Sequence, residues 1–392
     1  MVAATEVGRQ AGGWAAAIDR VIAVHLEHPD EGEQGRRLPE PVFQAMRKEG
    51  LFRLWVPKEY GGSEIELAPF MEAVERFAKQ DAALAWTFAI LAAGPLMTAY
   101  LPADGALEIF ASGPNVPIPG AVATKGRLVP AVGGYRASGR WPLGSGSHYG
   151  EWISATGMIF DGDAPRMGPH GGPDIIAFFV RQEERQLIDT WDSMGLRGTG
   201  SVDFAIEDVF VPETRMFPLF STPSQVAAPL YKAGPLALFS LAIAAVMPGV
   251  ARHAIDAFVE MAMEKTPTLS QTGLAVRPTI HAGVARAEAL LGSSRAYLYE
   301  VAQEITDCLA NEPMITDELE AKRRLACVNV ATACTKAVDS VFELAGATPV
   351  YSGHALERCL RDIRTARQHL LMSPVWWEKT GQYYFGRGLG MP

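Results

Sequence analysis

Three short stretches of this 392-residue chain carry side chains whose type and spacing suit chemistry. The first is Trp191-Asp-Ser-Met-Gly-Leu-Arg-Gly-Thr-Gly-Ser-Val-Asp203. Its glycines allow tight turns, and Thr199 and Ser201 offer hydroxyl and amide donors, so the loop can hold a flat polar ring. The second runs from Trp141 to Tyr149. Trp141 supplies a broad π-face and an indole donor, Ser145-Gly146 puts a hydroxyl on a sharp turn, and Ser147, His148 and Tyr149 extend the polar loop. The third, Arg361-Asp-Ile-Arg-Thr-Ala-Arg-Gln-His-Leu-Leu-Met-Ser-Pro374, holds His369, an imidazole that titrates near neutrality and donates or accepts in either tautomer. Blander roles stay open for each: a core aromatic at Trp141, a surface turn at Ser147 and His148, and a helix-terminal histidine bonded to a carbonyl at His369.

Three regions must position these residues. Residues 1–113 show helical periodicity, with Leu38–Gly50 ending on a glycine cap, Leu67–Ala78 repeating the pattern, and an apolar helix pair over Asp81–Tyr100 broken near Gly94-Pro95. Residues 114–220 are short β-rich runs punctuated by glycine and proline, which predict a small antiparallel barrel or sandwich. Its last strand alternates Phe204, Ile206, Val209 and Val211. Residues 221–392 predict long helices over 230–264, 278–309, 317–344 and 355–371, an antiparallel bundle. Helix–β–helix order without βαβ alternation excludes a doubly wound nucleotide fold.

Composition bounds the function. With 48% hydrophobic and 20% charged residues the chain is a globular protein, and a net charge of -9 spread along it excludes a nucleic-acid footprint and favours a small-molecule substrate. Cys308, Cys327, Cys334 and Cys359 lie in helical segments without CxxC or Cys/His spacing, so buried thiols are expected and no metal site. No basic segment followed by an apolar run opens the chain, which predicts a cytoplasmic protein. Ala233–Val250 is apolar enough for a membrane span, but is expected to be an internal helix rather than a membrane contact.

The loop at 191–203, the run Leu51-Phe-Arg-Leu-Trp-Val-Pro-Lys-Glu-Tyr-Gly-Gly62 and the strand Gly134-Tyr-Arg-Ala-Ser-Gly-Arg-Trp141 together resemble the acyl-CoA dehydrogenase superfamily, over nearly the whole chain. The resemblance implies a mostly α fold: an N-terminal helical domain, a central β domain and a C-terminal four-helix bundle that makes a homotetramer. In ordinary dehydrogenases of this fold an Arg-Asp pair precedes a glutamate that removes the substrate α-proton. Here Arg361-Asp362 is followed by Leu370 at that place, and the alternative base position falls at Tyr231-Lys-Ala-Gly234, which has no acid. A leucine accepts no proton.

The Arg-Asp-x-Arg-Thr…His…Pro pattern instead resembles the two-component flavin monooxygenases of the same fold, such as dibenzothiophene monooxygenase and the oxygenase of p-hydroxyphenylacetate hydroxylase. That implies an oxygenase component using reduced flavin (FADH2 or FMNH2) and O2 to oxygenate a small aromatic or heteroaromatic substrate through a C4a-(hydro)peroxyflavin, with a separate NAD(P)H-dependent flavin reductase. His369 and Ser145 are the implied catalytic pair. Trp141, Ser145, Gly146, Arg197, Thr199, Gly200, Ser201 and Arg361 are the implied cofactor contacts, and Trp86, His148, Leu370 and Trp376 the implied substrate pocket. The stretches corresponding to the family's diphosphate anchors, Glu264–Gly273 and Phe342–Tyr351, are degraded, although Lys265 lies in reach of phosphate. Two other functions fit the same chain: a dehydrogenase or oxidase with a different base, and a silent flavin-binding scaffold.

Overall fold

The structure is a computed structural model and describes residues 13–168, 171–268 and 270–390. In chain order the helices are α1 (Gly13–Leu26), α2 (Glu31–Gly35), α3 (Glu40–Lys48), α4 (Leu67–Ala78), α5 (Ala82–Ala93) and α6 (Ala103–Ile109). Then come strands β1 (Gly120–Ala131), β2 (Gly134–Gly144), β3 (Trp152–Asp161), β4 (Ala164–Pro165), β5 (Ile175–Arg181), β6 (Gln186–Ile188), β7 (Val202–Pro212) and β8 (Met216–Pro218), and finally α7 (Pro235–Ala244), α8 (Val246–Glu264), α9 (Pro278–Asn311), α10 (Asp317–Leu344), α11 (Ala355–Ala366) and α12 (Val375–Tyr383). The chain forms two compact units. One holds residues up to Glu66, Thr87–Asp192 and Arg197–Phe239; the other holds Leu67–Trp86, Ser193–Leu196 and Ser240 onward.

In the first unit the strands make one sheet in the order β6-β7-β2-β1-β3-β5-β8, with β4 paired to β3. The expected all-antiparallel arrangement is corrected at one pair: β1 runs parallel to β3, Gly120 opposite Ser154. The β1–β2 hairpin closes tightly, with Ala131 opposite Gly134 and Gly133 at φ 78°, which leaves the other edge of β1 to a strand that returns after the 145–151 loop. The alternation along β7 changes phase, because Glu207 and Asp208 together oppose Ser138, with Asp208 at φ 49°. This bulge is why Phe204 and Ile206 face inward on even numbers and Val211 on an odd one.

The sheet core gathers Leu128, Trp141, Ile153, Phe178, Phe204 and Ile206. Trp141 lies parallel to Phe204, ring centres 5.2 Å apart, and edge-on to Phe178. Offset stacking of this kind adds about 1 kcal/mol beyond burial. The N-terminal helices complete the unit: Gly50 takes the left-handed cap predicted for it after α3, at φ 72°.

In the second unit α8, α9 and α10 pack with α4, α11 and α12. Helices α4 and α10 have the predicted bounds, and α11 stops five residues earlier than predicted, at Ala366. Val246–Ala251 on α8 is buried, and 83% of the most apolar window of Pro235–Glu264 is covered by protein, as an internal helix requires. Cys327, Cys334 and Cys359 are buried free thiols; Cys308 is half-buried. At Gly249 a β-carbon would overlap the Glu75 carbonyl and sit 2.5 Å from the Ala78 methyl, so α8 approaches α4 at a distance only glycine permits. Gly249→Ala is therefore expected to lower stability by about 1–3 kcal/mol, the range for overpacking, read as a lower urea midpoint at unchanged slope.

Candidate active site

The first unit brings two of the three sequence stretches together. Ser145 Oγ lies 2.7 Å from Ser201 Oγ, and Ser201 Oγ lies 2.6 Å from Thr199 Oγ1, a line of three buried hydroxyls. The Gly146 amide donates to the Thr199 carbonyl at 3.0 Å, so backbone and side chains fasten the two loops at the same place. Both loops need left-handed backbone: Leu143, Gly146 and Gly200 have φ of 62°, 72° and 56°. At Gly200 a β-carbon would press on the His148 ring at 3.0 Å and on Arg37 Cβ at 3.3 Å, so only glycine lets the loop pack this closely on both.

Ser147 Oγ is wholly buried and has no hydrogen-bond partner among the described residues. The 145–150 turn is held from behind by Arg185, whose Nη2 donates to the carbonyls of Ser147 (2.7 Å) and Gly150 (2.9 Å). Burial pushes this guanidinium down to about 10. The same burial, and next the charge of Arg37, pushes half-buried His148 below the ordinary histidine range. Arg185 gives no signal in the sequence, since its role is to bind carbonyls of a turn 35 residues earlier.

Two expected cofactor contacts are placed elsewhere. Trp141 is fully buried, with one face on Phe204, its Cζ2 edge against Gly126 and its indole N–H on the Thr156 carbonyl at 2.8 Å. No ring surface remains for a cofactor, and the core role is the correct one. Arg197 is turned to Asp192 (2.9 Å) and the Glu33 carbonyl.

The third stretch lies in the second unit. His369 follows the end of α11 in extended conformation and caps a single helical turn, Leu370–Met372, its Nδ1 accepting the Leu371 amide at 3.2 Å. An accepting Nδ1 leaves the proton of the neutral ring on Nε2, and burial alone pushes the imidazole down to about 4. His369 is thus a neutral hydrogen-bond donor through Nε2. Trp86, expected in the substrate pocket, is beside it, edge-on at 5.5 Å. Leu370 points outward at 47% exposure, whereas Trp376 is buried, its N–H on the Leu370 carbonyl at 2.7 Å and its ring under Arg324 and Lys379. Trp376 therefore supports the turn from below instead of lining a pocket. Arg361 binds Glu357 and the Met194 carbonyl, so its guanidinium grips the chain and not a cofactor. Lys265 is likewise taken up, by the Ala345 carbonyl and Thr348, tying the two degraded anchor stretches to each other.

Residues 14–101 match the family model for the acyl-CoA dehydrogenase N-terminal domain, and residues 241–374 that for the C-terminal domain. The indole-3-acetate monooxygenase of Pseudomonas putida is 30% identical over 358 residues, 91% of this chain and 90% of that protein. The flavin-dependent monooxygenase oxygenase subunit HsaA of Rhodococcus jostii is 27% identical, covering 91% and 94%. The chain belongs to the acyl-CoA dehydrogenase superfamily, in its flavin-dependent monooxygenase branch. The crystal structure of the 3-HSA hydroxylase from Rhodococcus sp. RHA1 superimposes with a TM-score of 0.88 at 25% identity over 96% of this chain and 98% of the other.

Within this branch the enzyme differs from the dehydrogenases where the acid should be. Leu370 holds one base position. At the other, buried Tyr231 donates its hydroxyl to the Trp55 carbonyl at 3.2 Å, and burial raises that phenol far above its ordinary value. The hydroxyl line and the orphaned Ser147 Oγ fit the polar edge of a flavin ring, since they supply the hydrogen-bonding groups it would need.

Because the folded pKa of His369 lies below its unfolded value near 6.5, the unfolded chain takes up the proton first as pH falls. Stability tied to this group is complete above about pH 6.5 and declines toward pH 4. His369→Gln should flatten the thermal midpoint against pH in that window, and an unchanged slope would contradict the neutral donor assignment.

Proposed function

We propose that this chain is the oxygenase component of a two-component flavin-dependent monooxygenase that inserts one oxygen atom into a small aromatic or heteroaromatic substrate. The observation that carries the reading is a neutral, half-buried imidazole donor next to Leu370, the residue that stands where dehydrogenase relatives need a carboxylate. Reduced flavin, when bound, supplies the two electrons with which one atom of O2 enters the substrate and the other leaves as water. Ser145, Ser201 and Thr199, with the amides of their loops, would hold the polar edge of that ring. His369 Nε2–H is a donor, and since it already bears its proton, it would orient an oxygen rather than abstract a proton. Trp86, beside His369, offers an apolar wall that excludes water, which protects the reduced cofactor from wasteful release of hydrogen peroxide.

The taken-up Lys265 and degraded anchor stretches suit a flavin that enters reduced and leaves oxidised, FADH2 or FMNH2. A separate NAD(P)H-dependent reductase, a homotetrameric assembly and a cytoplasmic location complete the proposal.

The test is to give the purified protein photoreduced flavin, O2 and a panel of indoles and phenols, starting with indole-3-acetate, and to measure oxygenated product against hydrogen peroxide. Product from at least one aromatic is expected, and His369→Ala should move the balance toward peroxide by roughly 10²-fold or more, the usual scale for a lost donor at a reacting oxygen. Anaerobic bleaching of oxidised flavin by an acyl-thioester would instead mark a dehydrogenase.

A further inference from the structure

Three consecutive residues, Met194, Gly195 and Leu196, are fastened to one turn of α11. Arg361 Nη1 donates to the Met194 carbonyl at 2.6 Å. A β-carbon on Gly195 would overlap the Arg361 carbonyl and lie 2.7 Å from Thr365 Oγ1, so this glycine is pressed directly onto the helix. The Leu196 amide donates to Asp362 Oδ1 at 2.6 Å, and that carboxylate is only 3% exposed. Leu196 is itself buried and stands at φ 52°, a left-handed conformation costly for a side chain branched at Cγ. Ser193 closes the stretch with a hydroxyl bond to the Gly195 carbonyl at 2.8 Å. The next residue in the chain is Arg197, which opens the Gly198-Thr199-Gly200-Ser201 loop.

A charge-assisted bond from a buried carboxylate is strong enough to hold one residue in an unfavourable backbone region. Arg358, which binds Asp81 at 2.6 Å, also stands 4.0 Å from Asp362 Oδ2 and so helps keep that carboxylate charged, while Oδ1 takes the Leu196 amide.

We propose that Asp362 is a positioning residue: by holding Leu196 in its left-handed conformation it sets the entry of the 197–201 loop and with it the placing of Thr199 and Ser201. The functional side of this proposal rests on the flavin-oxygenase reading above. The backbone side stands independently of it.

The experiment is amide hydrogen exchange on the full-length protein, wild type against Asp362→Ala, with reduced-flavin affinity and the product-to-peroxide ratio measured on the same samples. Exchange across 193–201 is expected to quicken by on the order of tenfold in the variant, with slower change elsewhere, as loss of one charge-assisted bond dictates. Reduced flavin should bind correspondingly more weakly. Asp362→Asn keeps an accepting oxygen and should restore most of both, and adding Leu196→Gly to Asp362→Ala should recover part of the affinity by removing the left-handed penalty. If Asp362→Ala does not fold, Arg361→Met loosens the same stretch through the Met194 carbonyl and takes its place. Unchanged exchange in 193–201 overturns the proposal, as does faster exchange with wild-type flavin affinity and coupling. A wild-type protein that neither binds reduced flavin nor oxygenates any aromatic refutes the oxygenase reading instead, and the exchange result still decides the backbone role of Asp362.

Discussion

A line of three hydroxyls holds the polar loops of the β unit in place. Ser145, Ser201 and Thr199 come from loops 56 residues apart, yet they share protons over 2.7 and 2.6 Å with the Gly146–Thr199 backbone bond alongside. Hydroxyls linked in this way polarise one another, and burial keeps water from replacing the links. The left-handed residues on either side, Leu143 and Gly146 in one loop and Gly200 in the other, are tolerable because this line and the Arg185 grip fix where the loops must be. Remove the mutual anchoring and each loop has cheaper conformations to adopt.

The second unit answers a different demand. An imidazole that accepts an amide at Nδ1 and is half-buried cannot readily take a proton near neutral pH, so its remaining nitrogen is committed to donation. Support for that orientation comes from beneath: Trp376 holds the Leu370 carbonyl, and Arg324, itself anchored by Glu320 and the Leu389 carbonyl, covers the Trp376 ring. Donation without abstraction fits chemistry at an oxygen and does not fit removal of a carbon-bound proton.

Much of this was legible in the sequence, for reasons specific to each element. Helix α4 declares itself because its apolar positions recur on one face, α10 because its long stretch holds no glycine or proline, and the Gly50 cap because only glycine sits easily there. The pairing of β1 with β3 was not legible, since a period of two fixes which face is buried and not which neighbour lies alongside. Trp141 misled because an aromatic in a strand presents the same signal whether it faces a core or a cofactor. Arg361 and Asp362 were recognised as a pair, but their partners, Met194 and Leu196, lie about 166 residues away and offer only backbone groups, which every residue possesses. The early stop of α11 depended on His369 using its own ring to cap the next turn.

The four residues Ser193–Leu196 belong to the helical unit, while the residues before and after them belong to the β unit. With the changes at Trp86/Thr87 and Phe239/Ser240, neither unit is an uninterrupted length of polypeptide. No single cut in the gene separates them, and no recombination between relatives at one breakpoint can exchange one unit whole. Every single-crossover chimera must therefore reconcile packing from two parents inside at least one unit.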